Sequence, residues 1–187
     1  MDVRDAYRRA MDGFEIRVGR IRDGDWSRPT PDTEWDVRAL VNHMTAETLW
    51  VPEMFAGRTI SEVGDRYDGD VLGDDPVRRF REAAPRAVEA VRAEGALGRT
   101  VHLSAGDTPG TEYAWQLFAD ALIHTWDLAR GIGADDRLDP ELVEACAEWF
   151  EGEEDSYRRA GIIAARVPVP DAADPQTRLL AAFGRRA

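Results

Sequence analysis

Val3, Tyr7, Ala10, Phe14, Val18 and Ile21 recur at three- and four-residue steps. That spacing predicts an amphipathic helix from about residue 2 to 23. Gly24 and the run Trp26 to Pro31 close it with a loop. Thr33-Glu34-Trp35-Asp36 reads as a capping box. It opens a second helix over about 34–57, with core positions Val37, Leu40, Val41, Met44, Val51 and Phe55. Residues 58–73 lose the helical period and read as a surface loop punctuated by Gly64, Gly69 and Gly73. Asp74-Asp75-Pro76 starts a third helix, which ends near Gly95 with a kink expected at Pro85. Residues 98–104 look β-like, and Gly106 to Gly110 reads as a turn. A fourth helix follows over about 111–131. A fifth, opened by Asp139-Pro140, runs to about residue 159. Beyond it lie an extended stretch, Val167 to Pro170, and a short helix around Gln176 to Phe183.

Four long amphipathic helices and one β-like crossover predict an all-α bundle with crossover connections and at most a minor β element. The length of 187 residues fits one domain over 1–187, with 160–187 a tail docked on the bundle.

The fourth helix carries a polar anomaly. Leu117, Ala121, His124 and Leu128 share one face, and Asp120 stands one turn before His124. His43 sits on or beside the apolar stripe of the second helix. Two imidazoles and a carboxylate with an open fourth position form the ligand set of a catalytic zinc site, and other first-row divalent metals suit them. The plainer alternative is a hydrogen-bonded core histidine and an Asp120 paired with an arginine. Glu47, one turn after His43, is expected to be a solvated or Arg-paired acid, with an acceptor behind a ligand or a further ligand as the alternatives. Asp127 either orients the His124 ring or pairs with Arg130 or an arginine on the next helix. His102 is placed outside the site, and Cys146 reads as a small buried hydrophobe. Trp35, Trp50, Trp115 and Trp126 read as core or pocket wall.

Composition narrows the partners. Net charge is −12, and every basic side chain other than the three histidines is Arg. An acidic chain of this kind has no basic face for nucleic acid or for anionic membranes. No run reaches the roughly 20 apolar residues of a membrane span, and the N-terminus lacks a signal-peptide core. One cysteine makes no intramolecular disulfide. A cytoplasmic protein acting on a small-molecule substrate is expected, with a homodimer plausible. Arg-for-Lys usage points to a GC-rich bacterial source.

The segments Glu34 to Met44, Ala56-Gly57, Asp120 to Ala129 and Leu179 to Arg185 resemble the N-terminal domain of mycothiol-dependent maleylpyruvate isomerases, within the DinB-like metal-binding superfamily. The resemblance implies a DinB-like four-helix bundle holding one metal, most often zinc and alternatively nickel, through His43, Asp120 and His124. It further implies a low-molecular-weight thiol such as mycothiol as co-substrate, with an actinobacterial source. The isomerase carries Glu where this chain has Asp120, and a second C-terminal domain where about 25 residues follow the fifth helix here. A thiol-dependent transferase or isomerase other than the maleylpyruvate enzyme is therefore expected. The alternatives are a non-catalytic metal- or ligand-binding bundle in stress or regulation, and a structural protein whose His and Asp satisfy each other.

Overall fold

A computed structural model describes residues 1–187. Seven helices run α1 (Val3–Val18), α2 (Val37–Phe55), α3 (Ile60–Val63), α4 (Pro76–Arg92), α5 (Gly110–Ile132), α6 (Pro140–Arg159) and α7 (Pro175–Ala182). A single hairpin, β1 (Thr100–Leu103) with β2 (Gly106–Pro109), stands between α4 and α5. The fold is the expected mostly helical DinB-like bundle with a minor β element.

The bundle is built around α5. From Leu117 to Ala129 only Asp120 escapes burial, so this helix has almost no solvent face. A helix that is apolar nearly all round belongs in the centre of a protein. It packs most extensively on α1 and also on α2 and α6, while α2 in turn packs on α4. None of these helices is long and apolar enough to cross a membrane.

Helix ends follow local chemistry. Asp75, Asp139 and Asp174 each cap a helix that has Pro in its first turn. Such a proline gives up an N–H that would have no partner there. The first helix stops at Val18, short of the expected residue 23, because Gly19 caps it; Ile21 packs from the following turn. The capping box expected at Thr33 is also displaced. Asp36 is the cap, its Oδ1 accepting from the Ala39 N–H at 2.8 Å, and α2 begins only at Val37. Trp35 thus stays outside the helix, free to lie over its first turns. The surface loop read over 58–73 holds a helical turn, α3, opened by a Thr59/Glu62 capping box. Pro85 lies inside α4, which continues to Arg92.

The turn read at Gly106 to Gly110 is instead strand β2. It pairs antiparallel with β1, with His102 opposite Asp107 and Thr100 opposite Pro109. The reversal falls on Ser104 and Ala105, and Gly106 takes a φ of 120°. Gly, Asp and Pro have low strand propensity, so only the pairing itself makes this segment extended.

Gly110 joins hairpin to helix under tight constraint. A Cβ there would lie 2.5 Å from the Ala96 carbonyl oxygen and 3.1 Å from that of Arg99. Both obstacles are backbone and cannot swing aside. Gly110→Ala is expected to cost about 1–3 kcal/mol. A urea titration checks this; an unchanged midpoint would contradict the packing described.

The C-terminal segment docks on α6 and α5. Leu179, Leu180, Ala182 and Phe183 are buried, and Phe183 stacks on Phe150 at 4.0 Å between ring centroids. The Val167 N–H donates to the Ala181 carbonyl at 3.0 Å, tying the linker to α7. This docking carries Arg185 back to the middle of α5.

Candidate metal centre

His43, Asp120 and His124, chosen from the sequence on spacing and resemblance, meet in space. Each offers a ligand atom, and those atoms all lie within 4.8 Å of one another. Helix α2 brings His43, and α5 brings the other two from consecutive turns. Asp120 Oδ1 lies 3.3 Å from His124 Nε2, and Asp120 Oδ2 lies 3.7 Å from His43 Nε2. The two imidazoles stand edge to face with centroids 5.2 Å apart. Trp35 covers them, stacked on His43 at 4.4 Å and tilted against His124 at 5.6 Å.

One atom lacks what a core histidine should have. His43 Nε2 is shielded from solvent and has no hydrogen-bond partner. Buried polar nitrogens almost always find one. Here Nε2 faces Asp120 and His124 instead.

His124 is held from behind. Its Nδ1–H donates to Asp127 Oδ2 at 3.0 Å, which fixes the ring and turns Nε2 toward Asp120. Asp127 is fully buried. Its charge is met by Arg185, whose Nη2 lies 2.8 Å from Asp127 Oδ2 and 2.9 Å from Asp32 Oδ2. The Arg185 Nη1 also donates to the Phe183 carbonyl at 3.1 Å. Of the two sequence options for Asp127, ring orientation is realised. Arg130 pairs with Asp136 and stacks over Trp126. Asp32, His124 and Asp127 also cluster, but the guanidinium already occupies that position.

Asp120 and His124 support each other's charge. Partial desolvation of the Asp120 carboxylate, which keeps some contact with the cavity, opposes its ionisation, yet His124 and His43 hold its pKa well below the carboxylate range. Burial likewise works against a charged His124, but Asp120 and Asp127 together lift its pKa to about 9. Glu47 departs from its expected role. It has no arginine partner; burial, then the nearby Asp120, raises its pKa. It lines the same cavity as the three ligand candidates.

That cavity has a volume of about 610 Å³. The metal-ligand candidates share it with Trp35, Trp50 and Trp149. His102 stays outside, its Nδ1 2.7 Å from Asp107 Oδ1 across the hairpin. Cys146 is fully buried, and burial pushes its thiol pKa up, so it is no nucleophile. Trp126 is core, and Trp115 stacks on Trp149. Sequence reasoning missed Arg185, Tyr157 and Trp149 as neighbours of the site.

A helical bundle with an inward His from one helix and an Asp-x-x-x-His pair from another defines the class: a DinB-like bundle. The particular family follows from comparison. The sequence profile of the mycothiol maleylpyruvate isomerase N-terminal domain matches residues 7–129, and the chain belongs to that family. Two proteins described as uncharacterized, from the H37Rv and CDC 1551 strains of Mycobacterium tuberculosis, are each 32% identical to it. In both cases the match covers 99% of this chain and 98% of the relative. No solved structure matches. Arg185, Trp149 and Tyr157 all lie beyond the matched span.

Proposed function

We propose that His43, Asp120 and His124 hold one divalent metal, zinc or nickel, and that the chain is a mycothiol-type, thiol-dependent transferase or isomerase. The observation that carries this reading is the His43 Nε2 atom, buried, unpartnered and aimed at Asp120 and His124. The donor set suits such an ion: two imidazole nitrogens, one carboxylate and an open side toward a cavity. When bound, the ion supplies Lewis acidity, lowering the pKa of water or of a thiol that reaches it.

The chain's own residues do the rest. Asp120 contributes the anionic ligand. Asp127 keeps the Nδ1 proton of His124 in place, so Nε2 presents its lone pair. Trp35 covers the histidine rings and limits water on that side. Glu47, whose protonated form burial and Asp120 favour, is the titratable group available to take or return a proton in the cavity. The reading places the protein in the cytoplasm, where low-molecular-weight thiols remain reduced.

The His124 pKa near 9 has a measurable consequence. Without metal, the ring is protonated at pH 7, and a ligating imidazole must be neutral. Metal uptake at pH 7 is therefore expected to release about one proton from His124. Affinity rises with pH up to about 9 and then levels. Calorimetric titration with zinc in buffers of different ionisation enthalpy reads the proton count. Heats independent of the buffer would contradict it.

The functional test is consumption of mycothiol against a panel of electrophiles. Turnover by the metal-loaded protein, absent in His43→Ala, supports the reading. A metal-loaded protein with no thiol turnover across the panel would leave a non-catalytic metal-binding bundle.

A further inference from the structure

The mouth of the cavity differs from the rest of the surface. Four of its lining residues are exposed: Ile60, Ser104, Ala105 and Ile162. They come from the start of α3, the reversal between β1 and β2, and the connection after α6. None is charged, in a chain that is 32% charged residues. Ile60 is 39% exposed and Ile162 62%, so both keep surface that a ligand can reach. A lone exposed isoleucine is ordinary. Two of them, brought from separate segments to frame one opening, are not scattered surface.

The apolar surface continues inward. Trp35, Trp50 and Trp149 line the same cavity and are only half-buried. Each ring is held by a neighbour: Trp35 stacks on His43, Trp50 stands edge-on to Tyr67 at 5.7 Å, and Trp149 lies parallel to Trp115 at 6.2 Å. Their faces are therefore set before any ligand arrives. The volume of about 610 Å³ is that of a small-molecule pocket. A hydrated polar molecule gains little from such a wall, whereas an alkyl or aryl body displaces water from it and is held. A second copy of this chain is a poor occupant, because each copy carries a net charge of −12 and the opening is concave.

We propose that the cavity binds an amphipathic small molecule, its polar end toward His43, Asp120 and His124 and its alkyl or aryl body along the tryptophans and out past Ile60 and Ile162. Naming this molecule the electrophile rests on the thiol-dependent reading above; the apolar subsite itself does not.

Tryptophan fluorescence of the full chain tests this, since three indoles line the cavity. The probes are butan-1-ol, hexan-1-ol and octan-1-ol, titrated with zinc present and after chelation. Saturable binding is expected to tighten about two- to fourfold per methylene in both conditions. The double variant Ile60→Ser/Ile162→Ser removes the aliphatic rim at two exposed positions, where a polar side chain is tolerated. It is expected to weaken octan-1-ol about 3- to 10-fold and butan-1-ol less than about twofold. Ile16→Ser changes an exposed isoleucine outside the cavity and is expected to leave both alcohols unchanged. Equal affinity along the series, or wild-type affinity for octan-1-ol in the double variant, would overturn the proposal. So would a wild-type dimer in sedimentation that the double variant dissociates, which would assign the isoleucines to an interface between copies. Because the series is read without turnover and without need of zinc, its failure leaves the metal and thiol readings standing, and their failure leaves the subsite standing.

Discussion

Arg185→Met is expected to lower the melting temperature by about 6–20 °C. The guanidinium is mostly buried and reaches Asp127, Asp32 and the Phe183 carbonyl together. Asp127 has no solvent contact. Removing its cation leaves a buried carboxylate supported only by His124, and breaking a buried pair costs about 3–5 kcal/mol. In a chain of this size each kcal/mol moves the midpoint by about 2–4 °C. Asp32 keeps part of its surface in water and adds little to the loss. Arg185→Lys is not a rescue, because one ammonium cannot span two carboxylates and a carbonyl in the guanidinium geometry. Adding Asp127→Asn to Arg185→Met is expected to recover part of the loss, since the stranded charge disappears. Thermal unfolding of the three variants checks this, and an Arg185→Met midpoint within about 2 °C of wild type would contradict it.

His43→Ala is expected to separate stability from metal binding. The variant loses the stacking of His43 on Trp35 but also removes a buried nitrogen that nothing satisfies. These effects oppose each other, so the metal-free midpoint is expected to move by only a few degrees. The metal-dependent gain behaves differently. At zinc a thousandfold above its Kd, wild type gains about 4 kcal/mol. That corresponds to about 8–16 °C. His43→Ala is expected to gain almost none of it. A large metal-free loss together with an intact zinc shift would mean that His43 is a packing residue.

Much of the bundle was legible because long helices carry their period in the sequence. Val3 to Val18, Leu40 to Phe55 and Leu117 to Leu128 each repeat apolar residues at helical spacing, and tertiary packing agrees with that pattern. Asp-Pro starts placed the ends of α4 and α6 correctly for a local reason, the cap and the proline acting together. Asp120 and His124 were legible as one-turn neighbours. His43 was legible because a histidine beside an apolar stripe needs an explanation, and the resemblance supplied one.

What escaped was long-range or depended on which partner wins. Arg185 and Asp127 stand 58 residues apart, and no periodicity links a tail arginine to a buried helix acid. Glu47 reads as surface because helix acids usually are; only the packing of α2 against α5 shows it facing Asp120 without an arginine partner. Strand β2 has the composition of a turn and becomes a strand only through pairing with β1. Trp35 was read inside the second helix, yet Asp36 caps that helix and leaves the indole free to cover the site. Tyr157 and Trp149 gave a signal only as aromatics on the fifth helix; their place in the cavity comes from how α6 lies on α5.

The most direct test of the metal centre is elemental mass spectrometry of untagged protein purified without chelators, as wild type and as His124→Ala. About one zinc or nickel ion per wild-type chain, lost in the variant, is the expected result. No metal in either protein, or equal metal in both, would contradict the assignment and leave His43, Asp120 and His124 as polar groups of a helical core.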